Sequence, residues 1–109
     1  MNPRDLPANL DLVLLGGDSR AAAAIATRFP AARMRLVTRR AGPGHRQRLD
    51  DYCAVPEAYS LTGATIVNCV GTDSGRAEVL DKLNRQVPLA WARAARDQGA
   101  RAFIHLSSF

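Results

Sequence analysis

The most constraining feature of the chain is the join at positions 10–29. An apolar run, LDLVLL at 10–15, is stopped by Gly16 and Gly17; Asp18, Ser19 and Arg20 then lead into an alanine-rich stretch at 21–29 that Pro30 closes. A short apolar run ended by glycine suits a buried strand, and successive alanines favour helix. Strand, glycine turn and helix in immediate succession open a βαβ unit, which requires a parallel partner strand and a right-handed crossover.

The rest of the chain continues that alternation. MRLVT at 34–38 reads as the second strand, and the polar stretch 39–51, with Gly42, Pro43 and Gly44, holds a short third strand near 47–49. Residues 52–61 are expected to form a short helix interrupted by Pro56. ATIVNCV at 64–70 is the clearest strand, β-branched and ended by Gly71. Across 75–98, Leu80, Leu83, Val87, Trp91 and Ala94 recur at spacings of three and four, giving one helix face that stops at Gly99 and is kinked by Pro88. Residues 103–106 form the last strand. The expected fold is α/β, a doubly wound parallel sheet in the order 3-2-1-4-5 with Gly16 at its switch point. With 109 residues, 47% hydrophobic but only 6% aromatic, it is one domain, or a piece of one, with an aliphatic core.

Composition excludes several function classes. The net charge of +5 comes from fourteen Arg and one Lys against ten acids, dispersed from Arg4 to Arg101 without a dense run, which argues against a nucleic-acid surface. Cys53 and Cys69 stand sixteen positions apart with no CxxC pair, so no metal site is expected, and Cys69 reads as a small core residue. No apolar stretch reaches the roughly 20 residues of a membrane helix, and no basic-then-apolar leader opens the chain, so a soluble cytoplasmic protein is expected.

Gly16 and Gly17, between a strand and a helix, stand where a pyrophosphate could approach backbone N–H groups and the positive end of a helix dipole. The full GxGxxG is absent; its spacing from Gly16 falls on Ser19 and Ala22. Ser19 offers a hydroxyl to phosphate but restricts the turn, and the alternative is a plain β–α turn.

The segment NRQVPLAWARAARDQGARAFIHLSS at 84–108 resembles, without a gap, a stretch of the extended short-chain dehydrogenase/reductases of the NAD-dependent epimerase/dehydratase type. NCVG at 68–71 resembles the family's NxxG after the fourth strand, and LLGG at 14–17 its first turn. The likeness runs from Leu10 onward and covers the N-terminal portion of that family's Rossmann fold. It implies a dinucleotide whose phosphates lie at Gly16, Gly17, Ser19 and Arg20, with Asn68, Val70 and Gly71 along the adenosine side. Asp50, or equally Asp51, corresponds to the acid near the adenine. Asn84 matches the helix Asn that organises a backbone–water relay, and Ser108 the hydroxyl that bonds a substrate oxygen. At the end of the second strand, Thr38-Arg39-Arg40 replaces the carboxylate that accepts a ribose 2′-hydroxyl, and suits a 2′-phosphate instead. NADP is therefore expected, with NAD the alternative.

One element of the family is missing. In Tyr-x-x-x-Lys the lysine lowers the tyrosine pKa so that the phenol can transfer a proton during hydride movement. Here Tyr52 is followed four on by Pro56 and Tyr59 by Gly63, while the sole lysine, Lys82, follows Glu78. His45 and His105 offer no substitute. The chain, 1–109, is thus expected to be a truncated NAD(P)-binding portion, inactive alone, whose partners are a dinucleotide and either a complementing C-terminal half or a second copy. The rival readings are a non-catalytic NADP-sensing or interaction module and an inactive remnant of a broken gene.

Overall fold

Four successive buried residues, Leu12 to Leu15, make β1 (Asp11–Leu15) the centre of the sheet. The computed structural model describes residues 10–29, 33–39, 46–57, 59–72 and 74–106. The lead-in at 1–9, Pro30, Arg40, Gly42, Pro43, Gly44, His45, Ser107 and Ser108 lie outside them. β2 (Arg33–Thr38) and β4 (Thr65–Asn68) flank β1, β3 (Arg46–Arg48) pairs with β2, and β5 (Ala102–His105) with β4. All four pairings are parallel and the order is β3-β2-β1-β4-β5, as the alternation of apolar runs requires.

Because strand side chains alternate, the central strand feeds two layers. Val13 and Leu15 join Val37, Ile66 and Trp91 on one face, while Leu12 and Leu14 join Ala22, Val67 and, at their margin, Leu36 on the other. The second layer is covered by α1 (Arg20–Arg28), whose N-terminus is capped by the Ser19 hydroxyl accepting from the Ala22 N–H at 3.1 Å.

The first layer is covered by one long helical run: α2 (Ala77–Asp81), a π-helical turn at Lys82–Gln86, then α3 (Val87–Gln98). The expected kink at Pro88 takes a definite form. Proline has no N–H and its ring clashes with the carbonyl four residues back, and the helix widens one turn earlier, the Val87 N–H reaching the Lys82 carbonyl five residues back. Pro88 then sits at the start of α3, directly after the widened turn. Val87, Trp91 and Ala95 form the buried stripe, and Gly99, at φ +73°, ends the helix in the left-handed conformation.

The expected short helix at 52–61 is not formed. Its described residues run as turns, held to α3 by side chains rather than by helical hydrogen bonds. Trp91 Nε1 donates to the Tyr52 carbonyl at 2.7 Å; Gln98 accepts from the Leu61 N–H at 2.7 Å and donates to the Tyr59 carbonyl at 3.1 Å. Pro56 already disfavours helix there, and these bonds satisfy the backbone without one. β4 is also shorter than the run 64–70. The Asn68 side chain turns the chain out of the sheet by accepting from the Val70 N–H at 3.1 Å and donating to its carbonyl at 3.3 Å.

On the α1 side, Leu10, Leu12, Ile25, Phe29, Val67, Ile104 and Leu106 line an open apolar groove of about 390 Å³ beside β5. Among the described residues no helix is long and apolar enough to cross a membrane.

Trp91 joins the core to the crossover, so Trp91→Ala should be costly twice over, leaving a cavity and stranding the Tyr52 carbonyl. An unfolding free energy lower by about 3–5 kcal/mol in urea titration is expected; a loss under about 1 kcal/mol would show that the crossover is held by other means.

Candidate functional site

The glycine turn after β1 packs so closely on its neighbours that only glycine fits. At Gly17 a Cβ would lie 2.7 Å from the Leu36 Cβ and 3.1 Å from the Thr38 Cγ2; at Gly16, φ +73°, it would meet Val70 Cγ2 at 3.1 Å. Both glycine N–H groups donate to the Val37 carbonyl at 3.0 Å. This changes the expected role of the turn: its own N–H groups are tied to β2. The donors left for an anion are those of the first turn of α1, at Arg20 and Ala21, which by helix geometry have no partner within the helix.

Beside this turn lies a cleft of about 440 Å³ lined by Gly16, Asp18, Ser19, Arg39, Tyr52, Cys69, Val70, Gly71 and Leu83. It opens where β1, flanked by β2 and β4, is the switch point of the sheet. A smaller hollow of about 180 Å³ adjoins it, lined by Asp50, Asp51, Val79, Lys82 and Val87 and sharing Arg39, Tyr52 and Leu83.

Of the residues singled out from the sequence, Gly16, Ser19, Arg39, Val70 and Gly71 meet in the cleft. Gly17 lies behind it against β2. Arg20 is exposed at the start of α1 and does not line the cleft; Asp50 lies in the hollow, its side chain 87% exposed and paired with Arg48 at 3.0 Å. Arg40 and Ser108 lie outside the described residues.

The two asparagines act on the cleft wall from behind. Asn68 is fully buried, and besides its bonds to Val70 its Nδ2 stands 3.0 Å from His105 Nδ1. With Oδ1 accepting from Val70, the amide nitrogen is the donor, so the imidazole accepts on Nδ1. Asn84, on the π turn, accepts from the Thr72 N–H at 2.9 Å and donates to the Thr72 carbonyl at 2.8 Å. Gly71 makes room for it: a Cβ there would lie 3.2 Å from Asn84 Oδ1. The widened turn before Pro88 thus carries a clamp that fixes the loop 70–72 rimming the cleft.

Asp51, the sequence's alternative to Asp50, also lines the hollow, and other lining groups were not singled out from the sequence. Asp18 projects from the glycine turn and pairs with Arg46 on β3. The Tyr52 phenol is pushed up by burial and further by the Asp18 carboxylate, while Arg39 opposes; at neutral pH it is a donor, set 3.5 Å from the Val37 carbonyl. Asp51 is held below the usual carboxylate range by the Cys53 N–H and by Lys82, whose Nζ is 3.2 Å away. Burial pushes the Cys69 thiol up, so it is no thiolate nucleophile at neutral pH. An acid beside two glycines was visible in the sequence, but its partner lies 28 positions away. Among the described residues no group of three His, Cys, Asp or Glu side chains could hold a metal. Open space, a helix start, the Arg39 guanidinium and a phenol donor suit the cleft to an anionic, hydroxyl-bearing ligand. None of its described lining groups is set up as a proton-transfer pair.

No protein-family model matches this sequence, and no curated protein matches it. Solved structures do share its fold. Uronate dehydrogenase from Agrobacterium tumefaciens superposes with a TM-score of 0.70 at 20% identity, over 94% of this chain and 42% of its own. A mutated uronate dehydrogenase gives 0.66 at 19% identity, over 91% and 39%. The chain therefore spans about two-fifths of the length of the structures it matches. The likeness is one of fold.

Asn84→Ala should free the loop: the Thr72 amide is expected to exchange its hydrogen at least tenfold faster, with about 1–2 kcal/mol lost from global stability. Asn84→Asp keeps the acceptor for that N–H and should leave the Thr72 amide protected. Equal exchange in both variants would refute the clamp.

Proposed function

We propose that this chain is the dinucleotide-holding portion of an oxidoreductase of the short-chain dehydrogenase/reductase type, related to its epimerase/dehydratase branch. The observation that carries the reading is the cleft at the β1–β4 switch point, bounded by a glycine turn that enters a capped helix. Open parallel sheets bind ligands at such a point, outside the carboxyl ends of the strands. The shared fold with two proteins named as dehydrogenases supports it.

In this reading the pyrophosphate sits at Gly16, Ser19 and Arg20, with Gly17 giving the turn its closeness to β2. The adenosine extends toward the hollow, its ribose beside Arg39 and its base among Asp50 or Asp51, Tyr52 and Leu83. Asn68 and Asn84 shape the wall at Val70 and Gly71 from behind. Arg39, with Arg40 following it, favours NADP over NAD, because β2 ends in Thr38 and brings no carboxylate to a 2′-hydroxyl. When bound, the nicotinamide would supply hydride chemistry; this chain's residues bind and orient. Ser108 is assigned the hydroxyl facing a substrate oxygen. The apolar groove beside β5, with Ile104 45% exposed, makes a second copy or a complementing half the expected protein partner. The cytoplasm is its expected location.

Calorimetric titration should show NADP(H) binding more tightly than NAD(H), and Arg39→Ala should weaken NADP(H) by about tenfold while changing NAD(H) little. Equal affinities for the two would remove the NADP assignment; no binding of either would remove the whole reading. The chain alone should show no dehydrogenase or epimerase turnover, since positioned acid–base catalysis, worth about 10²–10⁴-fold, has no Tyr-x-x-x-Lys to perform it. Cofactor-linked oxidation of a sugar substrate by residues 1–109 alone would contradict this.

A further inference from the structure

We propose that the Asp18–Arg46 ion pair sets the choice between a 2′-phosphate and a free 2′-hydroxyl, with Arg46 as the specificity-determining cation. The proposal rests on the dinucleotide reading. β2 ends in buried Thr38, so the carboxylate that would accept a ribose hydroxyl is not at the strand end. The structure supplies one from elsewhere: Asp18, next to Gly17, lines the cleft together with Arg39. Carboxylate and guanidinium thus border the same opening, together with the Tyr52 ring.

Left to themselves, Asp18 and Arg39 would cancel. Arg46 prevents that. It stands on β3 in register with Leu36, on the face of β2 that the glycine turn crosses, and its guanidinium bonds the Asp18 carboxylate. Arg46 is more enclosed than its partner, with side-chain exposure of 20% against 46%. The neighbouring acids are each matched, Asp50 by Arg48 and Asp51 by Lys82. Among the described residues, Arg46 thus matches Asp18, and the Arg39 guanidinium keeps its charge at the mouth. A 2′-phosphate brings about −1.5 to −2 charges to that spot. Without Arg46, Asp18 turns against Arg39 and becomes both an acceptor for a 2′-hydroxyl and a repulsion against a phosphate. A half-exposed pair of this kind contributes little to folding, so its effect is expected in selectivity rather than in stability.

The test is the ratio of NADP+ to NAD+ affinity, measured by calorimetry at low ionic strength on the unaltered chain and three variants. Arg46→Gln should lower the ratio about tenfold and Asp18→Asn should raise it several-fold. Arg46→Lys should restore most of what Arg46→Gln loses, and separates charge from any disturbance of β3. Ratios unchanged within about twofold in both Arg46→Gln and Asp18→Asn, or a lowered ratio in Asp18→Asn, overturn the proposal while leaving dinucleotide binding intact. Failure of the unaltered chain to bind either cofactor overturns the dinucleotide reading, and this inference with it.

Discussion

The structure depends on the contact between the glycine turn and β2. Two N–H groups, from Gly16 and Gly17, converge on the Val37 carbonyl, and the place of the absent Gly17 Cβ is taken by Leu36. This seats the exit of β1 directly on its neighbour and fixes where Ser19 can cap α1. A turn held farther off would move the start of α1 away from the switch point, and the cleft with it. The glycines are thus required by packing before any ligand is considered. Their presence in a sequence argues for the β–α join first and for a phosphate second.

A second constraint works from the opposite side. The described residues of the crossover between β3 and β4 form no helix, yet it brings Tyr52 to the cleft because Trp91 and Gln98 hold its backbone to α3. Trp91 also packs edge-on against Tyr59, whose ring lies under the Arg35 guanidinium at 5.0 Å. One buried stripe on α3 therefore organises the sheet face, the crossover and, through Tyr52, one wall of the cleft.

The parts readable from the sequence were those written in local pattern. Inner parallel strands are buried on both faces, so LDLVLL and ATIVNCV stand out as continuous apolar runs, and Gly99 marks a helix end that needs the left-handed conformation. The parts not readable depend on partners remote in sequence. Nothing in 52–61 announces that a tryptophan 39 positions later will take the Tyr52 carbonyl. Nothing in NCVG shows that Asn68 will fold back on Val70 and end the strand early. Pro88 announced a disturbance, but that it becomes a π turn aiming Asn84 at Thr72 is a matter of packing. The glycine turn showed its position, whereas the engagement of its N–H groups by β2 and of Asp18 by Arg46 needed three dimensions.

The groups around the cleft share a further property that bears on chemistry. Both amide protons of Asn68 are used, one on the Val70 carbonyl and one on His105 Nδ1, so that nitrogen of the imidazole is engaged in holding the cleft wall. Lys82, the cation that could have lowered a tyrosine pKa, is paired with Asp51, and the Tyr52 phenol is shifted upward rather than down. Among the described residues, charge near the cleft is arranged largely in pairs, with the Arg39 guanidinium beside them. Such an arrangement offers a cation to a ligand, and among the described residues it forms no proton-transfer pair. Binding and chemistry are therefore separable in a fold of this kind. In the proposed reading the switch point, the capped helix and the charge pairs serve the first, and none of the described lining groups is set up for the second.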